Sequence, residues 1–238
     1  MSETGQFGLP LIEAAQAQKH VTVNDALWRL DTLAQLRLLS ISESVPPVSP
    51  ADGAAYGVPA GAVNAWDGHI GEVAIFSNGG WEFVAPKTGW RAWIADQGGQ
   101  AVYVGSAWET GLVAATPGGA ATRHEAIEFS HVIAAGAVDH TSITMAAGTM
   151  VYGISGRVVT GITGAGVTGW RLGDDTINDR FGQGLPLTAG AGFTGMSAAP
   201  VCYSSATPLR LEAIGGNFAS GSVKLVIHAL RIAPPDVV

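Results

Sequence analysis

Cysteine and charge are the two things this chain has least of. Cys202 is the only cysteine in 238 residues, so no disulfide can close within the chain and no cysteine-based zinc site can form. Only 13% of residues are charged, and 12 Lys and Arg stand against 19 Asp and Glu, a net charge of −7. No stripe of basic residues interleaved with aromatics is present to neutralise phosphates, which excludes nucleic acid as a partner. No apolar run reaches the length of a membrane helix, so membrane insertion is not expected either. The opening MSETGQFGLP lacks a basic stretch followed by an apolar one, and no secretory leader is read from it. The chain is therefore expected to be made in a cytosol and, if it acts outside a cell, to leave by another route, such as lysis.

Catalytic signatures are missing as well. There is no GxSxG, no HExxH, no phosphate-binding P-loop and no GxGxxG between a strand and a helix. The six His residues do not cluster as metal ligands. The sequence gives no catalytic residue, no metal site and no cofactor, and an enzyme is not expected.

What is present is a large apolar fraction. Hydrophobic residues make up 47%, mean hydropathy is +0.27, and there are 33 glycines. Such a chain can bury a large core, yet its surface is poor in charge, which points to partners covering part of it.

One stretch has helical periodicity, residues 16–39, QAQKHVTVNDALWRLDTLAQLRLL. The spacing predicts a helix with Val23, Leu27, Leu30, Leu33, Ala34, Leu38 and Ile41 on one face. Thr22 or Asn24 is its expected N-cap, after a weaker helical patch at 11–18. Trp28, Leu36 and Leu39 fall on a second apolar face. One face suffices for packing inside a domain, so an interface with another subunit or with a larger assembly is expected. Its candidate residues are Val23, Leu27, Trp28, Leu30, Leu36 and Leu39.

Beyond the prolines at 46, 47 and 50 the pattern changes. Residues 54–110 hold five of the seven tryptophans and several short apolar runs between turns, with Asn78-Gly79 as the strongest hairpin signal. A small antiparallel β module is expected, each Trp being either core packing or a platform for a sugar. From 125 to 232, apolar and polar residues alternate in seven or eight runs, as in Leu209, Leu211 and Ala213 against Arg210 and Glu212. That predicts a β-sandwich, with a jelly roll as the first choice of topology. The fold class is thus mainly β, divided as an N-terminal helical segment (1–45), a Trp/Gly-rich β module (46–115) and a C-terminal sandwich (116–238).

One polar cluster stands out, WRLGDDTINDRFG at 170–182. Planar polar side chains beside an aromatic face suit hydroxyl-rich sugars. Trp170, Arg171, Asp174, Asp175, Asn178, Asp179 and Arg180 are the candidate glycan-binding residues. Two other readings of the same residues are Asp side chains that cap turns and pair with Arg171 and Arg180, and oxygen ligands for Ca²⁺ from Asp174, Asp175, Asn178 and Asp179, although the spacing is not that of an EF-hand.

Three stretches resemble a known group: LPLIEAAQAQKHVTVNDALWRLDTLAQL, the module running from PVSPADG through GGWEFVAPKTGWRAW to YVGSAW, and ITGAGVTGWRLGDDTINDRFGQGL. They are similar to an alphaproteobacterial family of unknown-function structural proteins of prophages and gene transfer agents. The resemblance implies a spike or fibre component of a phage-like particle, attached to host capsular polysaccharide. It also implies a homo-oligomer, of which a trimer is the common form, in contact with other virion structural proteins. The alternatives are an adaptor without a ligand of its own, and a glycan depolymerase.

Overall fold

The structure, a computed structural model, describes residues 3–4, 7–12 and 19–235, of which 19–22 in backbone only. The chain is mainly β and forms two compact units, Met1–Leu112 and Val113–Val238.

The first unit opens with helix α1 (Lys19–Ala34), the strands β1 (Arg37–Leu38) and β2 (Ala55–Gly57), and a short 3-10 turn at Asn64–Trp66. Then follow β3 (Val73–Ser77), β4 (Gly80–Val84), β5 (Arg91–Ile94), β6 (Gly99–Val104) and β7 (Ala107–Thr110). These strands form two sheets, ordered β1-β5-β6-β7 and β2-β3-β4. Asn78 and Gly79 close the β3–β4 hairpin with φ of 50° and 77°, the left-handed values that a two-residue turn of this hand requires. Leu36, Leu38, Val73, Ile75 and Ile94 form one buried cluster, and Tyr56, Val58, Trp66 and Ala74 form another.

The helix differs from expectation in three ways. It ends at Ala34, so Leu36, Leu38, Leu39 and Ile41 are not helical. The chain turns there because Leu36 and Leu38 reach the core by strand alternation instead. The Trp93 N–H donates to the Leu36 carbonyl at 2.9 Å and the Ala95 N–H to that of Leu38 at 2.8 Å, in parallel pairing with β5. Second, the residues expected at an interface do not stay together. Trp28 and Leu36, expected at an interface, are buried within their own unit, whereas Val23 and Leu30 are 39% and 57% exposed. Leu27 and Leu39 are half-buried. Third, Thr22 and Asn24 lie inside α1, so neither holds the N-cap position; the Asn24 carboxamide accepts from the Ile12 N–H at 2.9 Å and donates to its carbonyl at 3.0 Å. Residues 13–18, which include most of the patch expected at 11–18 and the first residues of the long helix, lie outside the described residues.

The second unit comprises β8 (Leu112–Ala115), which begins at the boundary, β9 (Ala121–Val132), β10 (Val138–Met145), β11 (Thr149–Thr163), β12 (Gly169–Gly173), β13 (Gly182–Leu185), β14 (Gly192–Tyr203), β15 (Thr207–Ile214) and β16 (Ser220–Ala233). They divide into the sheets β14-β11-β16-β9-β8 and β10-β15-β12-β13. Strands β9 to β16 are thus shared four and four between two sheets in jelly-roll order. Val151, Ile154, Val158, Leu225 and Ile227 from the first sheet meet Met145, Trp170, Leu172, Leu209 and Leu211 from the second in one core.

Leu38 is fully buried, so Leu38→Ala leaves a cavity that costs about 2–5 kcal/mol. Trp170 is the one tryptophan of the second unit, so fluorescence-monitored urea unfolding reads chiefly the first. The midpoint is expected to fall; an unchanged midpoint would count against this packing of β1.

Candidate functional site

The polar cluster of the sequence lies where β12 runs through the loop 174–181 into β13. Gly173 is the pivot, because a Cβ there would lie 2.1 Å from the Ile177 carbonyl oxygen. The loop folds back across this point and the Asp174 N–H donates to that carbonyl at 3.0 Å.

The loop sorts its side chains into a buried set and an outward set. Asp174 belongs to the buried set, and its carboxylate is saturated. Oδ1 accepts from the Thr176 and Ile177 N–H groups at 2.9 and 2.8 Å. Oδ2 accepts from Arg180 Nε at 2.7 Å and from the Tyr203 hydroxyl at 2.8 Å. Burial acts to raise its pKa, but the bonds from Arg180, the Ile177 amide, Tyr203 and the Thr176 amide outweigh it and hold the carboxyl below the usual range. The Tyr203 hydroxyl is pushed well up, by burial first and then by its bond to Asp174.

Three of the expected glycan contacts are corrected by this arrangement. Trp170 is 0% exposed, its Nε1 donates to the Pro186 carbonyl at 2.9 Å, and its ring meets Phe193 edge-on at 5.3 Å, so no face is open to a sugar. Asp174 and Arg180 are committed to each other. The buried, donor-saturated Asp174 is equally unsuited to Ca²⁺. Among the described residues, no group of three or more His, Cys, Asp or Glu side chains is placed to hold a metal ion.

The outward set is Arg171, Asp175, Asn178 and Asp179. The first three join residues that the motif alone did not include. Arg171 Nη1 donates to Glu212 Oε1 at 2.9 Å, and Asn178 Nδ2 to Glu212 Oε2 at 3.1 Å. Arg210 bridges Glu212 at 2.7 Å and Asp175 at 3.3 Å, and His140 Nε2 lies 2.9 Å from the same Asp175 oxygen. Sheet register makes this possible, with His140 opposite Arg210 and Arg171 opposite Glu212. Asp179 is exposed. The alternation of Arg210 and Glu212 against Leu209 and Leu211 marks these two as outward in the sequence. Nothing in the sequence pairs β15 with β12.

The His140 hydrogen bond, then Arg210, holds the Asp175 carboxyl low. For Glu212 the Asn178 bond comes first, followed by Arg210. Both acids are ionised near neutrality, so neither is the proton donor that glycoside cleavage needs. The cluster offers donors and acceptors in fixed positions on a rigid sheet, which suits binding.

Residues 23–109, from within α1 to β7, match the family described as Protein of unknown function (DUF2793). No curated protein matches the chain. Among solved structures, the chain is similar to one from the cyanophage Pam1 capsid asymmetric unit, at 15% identity and a TM-score of 0.33, over 47% of this chain and 84% of that one. It is also similar to a chain from the acidic stable capsid structure of Helicobacter pylori bacteriophage KHP30, at 17% identity and a TM-score of 0.29, over 47% of this chain and 98% of that one.

Tyr203→Phe removes one donor from a buried carboxylate and is expected to cost about 1–3 kcal/mol at pH 7. A depressed carboxyl stabilises the fold above its unfolded pKa of about 3.9, and that contribution is lost as pH falls through the lower folded value. The gap in urea midpoint between wild type and Tyr203→Phe should therefore narrow in acid. A gap constant from pH 7 to pH 3 would contradict the assignment.

Proposed function

We propose that the chain is a structural component of a phage-like particle, a spike or fibre of a prophage or gene transfer agent, which assembles as a homotrimer and attaches to host surface polysaccharide. It acts by adhesion, without catalysis, and resides in the virion among other structural proteins.

The observation that carries the reading is the apolar stripe Val23, Leu27 and Leu30 on α1. Val23 and Leu30 are exposed and Leu27 is half-buried, at the i, i+4, i+7 spacing of a helix that packs against another helix. An exposed stripe of this spacing favours burial against copies of itself. The resemblance of the helix, the Trp-rich module and the 162–185 stretch to phage and gene transfer agent proteins supports the particle setting. The satisfied polar network of Arg171, Asp175, Asn178, Arg210 and Glu212 supports glycan contact, and several copies would convert weak single-site binding into firm attachment.

Two measurements test this. Size-exclusion chromatography with light scattering should give the mass of a trimer for the wild type and of a monomer for Leu27→Glu/Leu30→Lys; a monomeric wild type would refute the assembly. Particles carrying Asp175→Ala or Asn178→Ala should bind capsulated cells several-fold less well. Unchanged binding by both would remove the β12–β13 loop from attachment.

A further inference from the structure

We propose that a hollow in the first unit, beside Trp93, binds an acidic sugar, a ring that bears a carboxylate. The hollow has a volume of about 470 Å³ and is lined by the last turn of α1, by β1 and by the outer face of β5 and β6. That volume lies within the range of small-molecule sites.

Strand alternation builds its floor. On β5, Ala92 and Ile94 are buried while Arg91 and Trp93 face outward. Trp93 is 46% exposed, whereas Trp66 of the same unit is wholly buried against Tyr56 and Trp81. Register places Arg37 of β1 directly across from Trp93 on one side and Gln100 of β6 on the other. Cross-strand neighbours stand about 5 Å apart at Cβ, and Arg91, two residues along β5, stands about 7 Å away. One aromatic plane is thus flanked by two guanidinium groups and an amide. Leu33 and Gln35 from the end of α1 and the segment that follows it close one side.

The chemistry of this set is specific. An aromatic face gives a flat apolar seat for a ring, and amides bond hydroxyls. Guanidinium forks match a carboxylate with two parallel hydrogen bonds. Arg29, Arg171, Arg180, Arg210 and Arg231 each hold a carboxylate. Arg37 and Arg91 hold none among the described residues. In a chain of net charge −7, bulk charge repels a polyanion, so binding one would need a local pair such as this. The inference rests on the hollow's own chemistry and does not require the particle setting or the cluster on β12 and β15.

Affinity electrophoresis of the full chain tests it, in native gels containing polygalacturonate, alginate or hyaluronan, with dextran as the neutral control. Mobility is read against a gel without polysaccharide. At least one acidic polymer is expected to retard the protein and dextran is not. Trp93→Ala, which leaves charge unchanged, and Arg37→Ala/Arg91→Ala should each weaken retardation tenfold or more. Trp93→Phe, which keeps an aromatic seat, should stay within a few-fold of wild type, and Arg157→Ala, in the other unit, should match it. Retardation by none of the three acidic polymers, equal retardation by dextran, or wild-type behaviour of Trp93→Ala would overturn the proposal. So would a fall in light-scattering mass for Trp93→Ala, which would make the hollow a subunit contact. The readout uses isolated protein, so its failure leaves the particle-attachment test standing and the converse also holds.

Discussion

The pairing of β12 with β15 is the contact on which the second unit depends. Register sets Trp170 against Ala213, Arg171 against Glu212 and Leu172 against Leu211. Because side chains alternate across a sheet, this one alignment both fills the core and lays the charged row outside. A slip of β12 by one residue would bury Arg171 and expose Trp170 and Leu172. The polar cluster is therefore not an addition to a finished sandwich. It is the other face of the same decision.

The first unit obeys the same rule at a different point. The segment after α1 could continue as helix or leave as strand, since its leucines suit either period. What decides is the parallel pairing of Arg37 and Leu38 with Trp93 and Ile94. It buries Leu38 and Ile94, and in the same step turns Arg37 and Trp93 toward solvent. A longer helix would have left the backbone of β5 without its partner, and buried peptide groups do not stay unpaired.

Much of this was legible in the sequence where the signal is local. Asn78-Gly79 named its own turn. The alternation through Leu209, Arg210, Leu211 and Glu212 named both the strand and its outward residues, and the run of such strands pointed to a β-sandwich, whose strand order only the folded sheets supply. What was not legible depended on which strand lies beside which. Trp170 reads as a sugar platform when seen next to Arg171 and Asp175, but its position on β12 points it into the core. Leu36 and Leu39 fit a helical wheel, and only the distant β5 shows that they are not helical. His140, 35 residues from Asp175, could enter the cluster only by folding. Trp28 left the expected interface for a related reason: it is the largest apolar group of the helix, and with Asp31 and Thr32 it makes the buried side.

The two polar surfaces differ in how a ligand would enter them. In the sheet cluster every charge already has an opposite neighbour, so a sugar carboxylate approaching Arg210 must displace Asp175 or Glu212. Exposed ion pairs contribute only about 0–1 kcal/mol, and the exchange is cheap for Asp175, but Glu212 is held by three donors at once and resists it. Such a surface favours neutral hydroxyls, which can add to a network without breaking it. Beside Trp93 the guanidinium groups have no carboxylate to give up among the described residues, so an anion would gain their attraction without a competing loss there. The chain thus carries a closed charge network on one unit and an open one on the other. Net acidity makes the distinction sharper, because a chain that repels anions overall admits them only where arginine is left uncompensated.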